Sequence, residues 1–158
     1  MNPEVVQGTV FTEAFPAKNV LILGEEEPVD GSGTQDFWLA EIGKTTGQGF
    51  TLKLDSCKRV IAGFQIKNKG RGVNSQFGTK AFKVSGSKNE KGPWETLVED
   101  ELVDTRGKAA SLLNFTFDQP VEVQYLKFEL VSYWGSVGGG LQYFAPILAT
   151  RVGKSDFA

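Results

Sequence analysis

Residues 123–144 read VQYLKFELVSYWGSVGGGLQYF. The stretch opens as a strand: Leu126, Phe128 and Leu130 share one face, and Tyr125, Lys127 and Glu129 share the other, because side chains of an extended chain alternate. The alternation breaks at Ser132-Tyr133-Trp134-Gly135-Ser136-Val137, passes through Gly138, Gly139 and Gly140, and resumes an apolar, strand-like course at Leu141. Two aromatics thus stand where the pattern stops, in a segment whose glycines open backbone conformations that other residues avoid. Two readings are open. The segment is either a ligand-facing rim on a β scaffold or a tight turn whose aromatics fold back on the core.

Working outward, similar alternation recurs at fairly regular spacing. Residues 50–54 alternate apolar and polar, as do 62–67 after a more continuously apolar start at Val60-Ile61, then 81–85 and 113–117, where Pro120 is expected to close the strand. Residues 20–23, Val-Leu-Ile-Leu, read as a first core strand, and 37–42 as one turn of helix before Gly43. Residues 94–104 read as strand then loop, and 141–152 as the last strand, with Pro146 marking an edge or bulge. Asp30-Gly31 is a strong turn signal, and 68–78, NKGRGVNSQFG, a polar glycine-rich loop. Good helix formers never accumulate over a long window. About eight short strands with long loops predict an all-β fold, an antiparallel β-sandwich or jelly roll. The 158 residues suggest one domain, with 1–19 as a lead-in and 154–158 as a tail. With 40% hydrophobic residues, 12 Phe and 3 Trp, the chain can fill a core without staples.

Composition excludes several chemistries. There is no histidine, so Ser-His-Asp and Cys-His catalysis and imidazole zinc sites are unavailable. One cysteine, Cys57, allows no intrachain disulfide and is expected as a small buried residue. Basic and acidic residues number 17 and 19 and are intermixed, which is not the footprint of a nucleic-acid binder. No apolar run approaches a membrane span. The first fifteen residues lack the basic and apolar regions of a secretory leader, so a mature, trimmed or cytosolic chain is expected.

The order of segments nevertheless resembles a known family. Asp30-Gly31 precedes Trp38; strands at 49–54 and 59–67 follow; then come Gly78-Thr79-Lys80-Ala81-Phe82-Lys83-Val84-Ser85-Gly86-Ser87, Gly92-Pro93-Trp94, and finally 123–130 and 140–147. Over residues 20–150 this is similar to the discoidin domain, the coagulation-factor type C domain of the galactose-binding-like β-sandwiches. The resemblance implies a non-enzymatic binding module that takes cell-surface glycans, or phospholipid head groups, through loops at one end of the sandwich. It also implies a structural calcium near the Asp-Gly turn, for which Asp30 and Asp36 are the candidate ligands. Three departures bear on this: no disulfide joins the ends, the interval from Asp30 to Trp38 is one residue longer than usual, and the closing strand reads Leu141-Gln142-Tyr143-Phe144 where calcium-binding relatives often carry a glutamate.

A sugar site needs a flat aromatic face for the C–H side of a pyranose and planar donors and acceptors for its hydroxyls. Tyr133 and Trp134 supply the first; Asn68, Arg71, Asn74 and Gln76 supply the second. Trp38 and Trp94 follow turns beside apolar strands and are expected in the core. Asn114-Phe115-Thr116 is a glycosylation sequon, usable if Asn114 faces solvent and the chain is secreted. The commitment is a lectin-like recognition or adhesion module that gains avidity as a homo-oligomer. A lipid-binding domain and an intracellular protein-interaction module are the alternatives, and the compartment, extracellular or cytoplasmic, stays open. A glycoside-acting enzyme ranks below them, because the acidic runs 25–27 and 99–101 have charged, turn-like surroundings rather than apolar pockets.

Overall fold

The computed structural model describes residues 1–23, 37–71 and 75–149. Among them, nine strands form two antiparallel sheets, as expected of a sandwich. In chain order these are β1 (Glu4–Gly8), β2 (Trp38–Leu39), β3 (Gly49–Lys53), β4 (Arg59–Asn68), β5 (Ala81–Ser87), β6 (Glu95–Glu101), β7 (Leu112–Val123), β8 (Tyr125–Leu130) and β9 (Gly140–Leu148). One sheet runs β1-β3-β8-β5-β6 and the other β2-β9-β4-β7.

The alternation of β8 dictates its central place. Leu126, Phe128 and Leu130 are buried between the sheets, while Lys127 and Glu129 lie on the outer face. Phe50, Phe82 and Phe128 from one sheet meet Phe64 and Phe144 from the other; Phe64 and Phe144 are 5.2 Å apart, Phe50 and Phe128 5.2 Å, and Phe128 and Phe144 5.9 Å. Each buried Phe contributes about 1.5–3 kcal/mol by leaving water, and the offset and edge-on geometries add to that. Trp38 is fully buried against Phe50 and Phe128, as the sequence predicts.

Several local expectations are corrected. Residues 20–23 are not a strand: Ala17–Leu21 is a 3-10 helix that buries Ala17 and Val20, and Ile22 and Leu23 are exposed. The segment around Trp38 is extended and pairs with β9, not helical. The lead-in contains β1, an edge strand on β3. Pro120 does not end its strand, since β7 continues to Val123 on the edge of its sheet, where a missing N–H costs little. Pro146 does sit where β9 has only β4 beside it. Cys57 is exposed in the turn between β3 and β4. Trp94 is only partly buried, with the Lys127 ammonium 4.4 Å from its ring. Asn114 is exposed on β7 and accepts a hydrogen bond from Gln65 Nε2 at 3.1 Å.

Strand directions sort the connections. Register pairs Asn68 with Leu141, Phe82 with Leu130, Lys67 with Leu112 and Ala81 with Glu101. The β4–β5, β6–β7 and β8–β9 loops therefore leave from the same end, which is termed the crown. The β3–β4, β5–β6 and β7–β8 connections lie at the opposite end.

Candidate functional site

The crown is closed by backbone-directed hydrogen bonds from a few buried polar groups. Asn68, at the end of β4, donates from Nδ2 to the Thr79 carbonyl at 2.9 Å and accepts at Oδ1 from the Thr79 and Lys69 amides at 3.0 and 2.9 Å. Thr79 Oγ1 donates to the Gly140 carbonyl at 2.7 Å, and Thr105 Oγ1 to the Lys69 carbonyl at 3.0 Å. Lys69 is buried, its ammonium 4.5 Å from the Phe37 ring and donating to the carbonyls of Gly70 and Arg71 at 3.3 and 3.2 Å. These bonds tie the β4–β5 loop to the start of β9 and to the β6–β7 loop. Arg71 is fixed in the same way, its amide donating to the Lys108 carbonyl at 2.7 Å.

Trp134 is anchored on this frame. Its amide donates to the Gly78 carbonyl at 2.8 Å, and its indole Nε1 donates to the Leu102 carbonyl at 2.9 Å. The ring stays partly exposed, with Lys80 Nζ 4.8 Å from it. Gly135 follows with φ +78°, and a Cβ there would lie 2.9 Å from Arg106 Nη1 and 3.3 Å from Gln76 Oε1. Only glycine lets the guanidinium and the amide lie against this turn. The 102–111 loop also encloses a cavity of about 450 Å3 lined by Val103, Asp104, Thr105 and Leu113.

Arg106 is fixed by a bidentate pair with Asp104, at 3.0 Å from Nε and 2.7 Å from Nη2, and its amide also donates to Asp104 Oδ1 at 3.1 Å. The Arg106 side chain, then its amide, hold the Asp104 carboxyl down to about 2. A depressed carboxyl pKa gives a contribution that is complete above the ordinary value and lost as pH falls through the folded one. The pair is therefore expected to hold at neutral and mildly acidic pH and to loosen only as pH drops from about 4 toward about 2. A carbon-detected NMR titration of Asp104 should give a midpoint near 2, returning to the ordinary carboxylate range in Arg106→Ala. An ordinary midpoint in the unsubstituted chain would contradict the pairing.

The structure thus places Arg71, Gln76 and Trp134 at the crown end, all at least partly exposed, and sets Gln76 and Arg106 against the Gly135 turn that follows Trp134. Asn68 is placed differently: it is buried, and its amide holds the base of the loop. Tyr133 bridges Thr79 and packs on the core, which is the turn-and-fold-back reading of the sequence. Asn74, Asp30 and Asp36 lie outside the described residues. Among the described residues no three Asp, Glu, Cys or His side chains converge, so none offers calcium a cage of carboxylates. Sequence reasoning missed Arg106, Asp104 and Lys80. The signal for the first two was a short Asp-Thr-Arg-Gly turn at 104–107, with nothing to join it to Trp134.

The sequence profile of the F5/8 type C domain matches residues 17–143. The chain belongs to this family. Among solved structures, this F5/8 type C domain is similar to the family 32 carbohydrate-binding module of Clostridium perfringens NanJ in complex with galactose, at 15% identity over 92% of this chain and 91% of that one, with a TM-score of 0.63. A second C. perfringens module of that kind, in complex with GalNAc-β-1,3-galactose, gives 14% identity, 92% and 94% coverage and a TM-score of 0.60. The module of AlyQ in complex with 4,5-unsaturated mannuronic acid gives 13%, 94% and 95%, and 0.60. At such identities the likeness is one of fold, a two-sheet antiparallel β-sandwich. A search of curated protein sequences finds no match. No helix of the described residues is long and apolar enough to cross a membrane.

Proposed function

We propose that this F5/8 type C domain is a non-enzymatic carbohydrate-binding module, acting in recognition or adhesion through the crown. The observation that carries the reading is Trp134. Its indole N–H is tethered to a carbonyl while its ring stays partly exposed beside Arg106 and Gln76, with Arg71 on the same end. A pyranose stacks its C–H face on such a ring and offers hydroxyls to the planar donors around it. The modules of like fold solved with galactose, GalNAc-β-1,3-galactose and a mannuronic acid support a sugar as the class of ligand. Arg71, Lys80, Arg106 and Lys108 outnumber Glu101 and Asp104 there, so acidic sugars are tolerated. Glycoside hydrolysis has no support in the pKa shifts. Asp55 and Asp104 are both displaced downward, whereas a general acid must be held upward.

A glycan array, run with and without a chelator to separate metal-free from calcium-supported binding, tests the proposal. Trp134→Ala should then weaken the best ligand about tenfold or more, corresponding to about 1.4 kcal/mol. An array without a hit, or a Trp134→Ala protein that binds as the parent does, would overturn it.

A second reading, docking on phospholipid head groups, has one observation in its favour. Val103 is 73% exposed on the crown loop that carries Arg106 and Lys108, and Val131 is 54% exposed at the same end, in the β8–β9 connection. Co-sedimentation with phosphatidylserine vesicles separates the two. The sugar reading expects the protein to stay in the supernatant; salt-sensitive pelleting that Val103→Asp abolishes would favour the lipid surface.

A further inference from the structure

We propose that a second carbohydrate site, selective for neutral hexoses, lies around Trp94 at the end of the sandwich opposite the crown. It does not depend on the crown being a sugar site. The β5–β6 turn and the last residues of β7 enclose a groove of about 580 Å3 there, larger than the cavity at the 102–111 loop. Trp94 and Pro93 line it together with Val121 and Val123, and Asn89, Lys88, Glu95 and Glu122 supply its polar groups.

Three features give the groove its chemistry. Trp94 is a partly buried indole outside the main core, although its sequence context predicts core packing. Lys127 sits 4.4 Å from the ring centre but is not among the residues that line the groove. Gly86 forms part of the base. A Cβ there would come within 2.9 Å of Val123 Cγ1 and 3.0 Å of Leu97 Cδ1, so close packing beneath the groove depends on glycine. An apolar base beside an aromatic, rimmed by an amide and two carboxylates, matches a pyranose, whose C–H face is apolar and whose hydroxyls donate well to carboxylates.

Charge selects among sugars. Among the lining residues, Lys88 Nζ is 3.7 Å from Glu122 Oε1, so the one lining cation is already faced by a carboxylate, and Glu95 adds a second negative charge, while the Lys127 ammonium at the Trp94 ring is not part of the lining. The two lining carboxylates would repel a uronate, whereas a neutral hexose carries no charge for them to act on. The crown has the opposite balance. Two sites at opposite ends would let one chain cross-link glycans, giving avidity without oligomerisation.

The test is a proton–nitrogen NMR titration of the full chain with galactose, glucose, mannose and N-acetylglucosamine, and separately with galacturonate. At least one neutral sugar should move the Trp94 indole N–H and the Asn89 and Gly86 amides saturably, and should do so equally in Trp134→Ala. Galacturonate should leave these signals in place. Trp94→Ala should weaken binding at this end at least tenfold while crown signals respond unchanged, and Trp94→Phe should recover part of it. The proposal is overturned if no neutral sugar moves these signals in the unsubstituted chain, a result that needs no variant to fold. It is equally overturned if Trp94→Ala leaves the response intact, or if galacturonate binds there as well as the neutral sugars.

Discussion

Gly63→Ala should cost about 3 kcal/mol or more, a large share of the roughly 5–15 kcal/mol that holds a domain of this kind together. Gly63 lies in β4 between β7 and β9, at a bulge in both pairings. A Cβ built there would be 1.9 Å from the Phe115 carbonyl oxygen and 3.0 Å from Thr116 Cα. Those are backbone atoms of a paired strand, so no rotamer change relieves the overlap. β7 would have to move away from β4. That movement would also separate Phe115 from Phe64, whose rings stack at 5.1 Å, and Phe115 from Phe82 at 5.5 Å. Urea unfolding followed by tryptophan fluorescence measures the effect, since Trp38 is buried in the same core. Gly43→Ala is the control. Its φ of +74° disfavours a side chain, but nothing lies within 4 Å, so the cost there should be only about 1 kcal/mol. Equal costs at the two positions would show that backbone conformation, not strand approach, decides the first.

These two glycines also mark where reading the sequence succeeds and where it stops. Alternation located β3, β4, β5 and β8 because one face of each is buried, and a period of two survives only when every second residue must be apolar. It did not find β1, whose five residues are held by pairing with β3, nor the two-residue β2. Residues 20–23 misled for the opposite reason: four apolar residues in a row carry no period, and only Val20 and, in part, Leu21 turned out to be covered. The run Gly138-Gly139-Gly140 read as freedom to turn. Its use is close approach, since a Cβ on Gly139 would lie 2.6 Å from Leu130 Cδ1 and one on Gly140 2.6 Å from the Trp38 carbonyl. The left-handed residue of that loop is Gly135.

The site was legible as residue types at one end but not as a full arrangement. Trp134, Arg71 and Gln76 were readable as sharing one end, because they stand in the loops after β8 and β4, which an antiparallel sandwich can set at the same end. Arg106 was not, because its place against Gly135 follows from strand order, which sets the β6–β7 loop beside the β8–β9 loop across many residues of chain. Asn68 failed in the other direction. A polar residue at the start of a loop looks like a surface group until the loop is seen to close upon it.

That closure predicts the second large effect. Asn68→Ala should lower stability by about 3 kcal/mol and disorder the crown along with it. Asn68 is only 3% exposed, and truncation would strand the Thr79 and Lys69 amides and the Thr79 carbonyl, all inside the protein. A buried backbone group left without a partner costs about 1–3 kcal/mol, and water entering the vacated space would recover part of the sum. The damage would not remain local. Thr79 also carries the hydroxyl bond to Gly140, and its neighbour Gly78 accepts the amide bond that seats Trp134. The amides of Thr79, Lys69 and Trp134 should therefore exchange faster with solvent in the variant, while those of Phe64 and Phe128 change only as far as global stability does. Were Asn68 a ligand contact instead, the same substitution would lower sugar affinity and leave the unfolding midpoint and the Thr79 exchange rate where they were. Because the two roles move different observables, one protein preparation decides between them. An unfolding free energy within about 1 kcal/mol of the parent would remove Asn68 as the anchor of the crown.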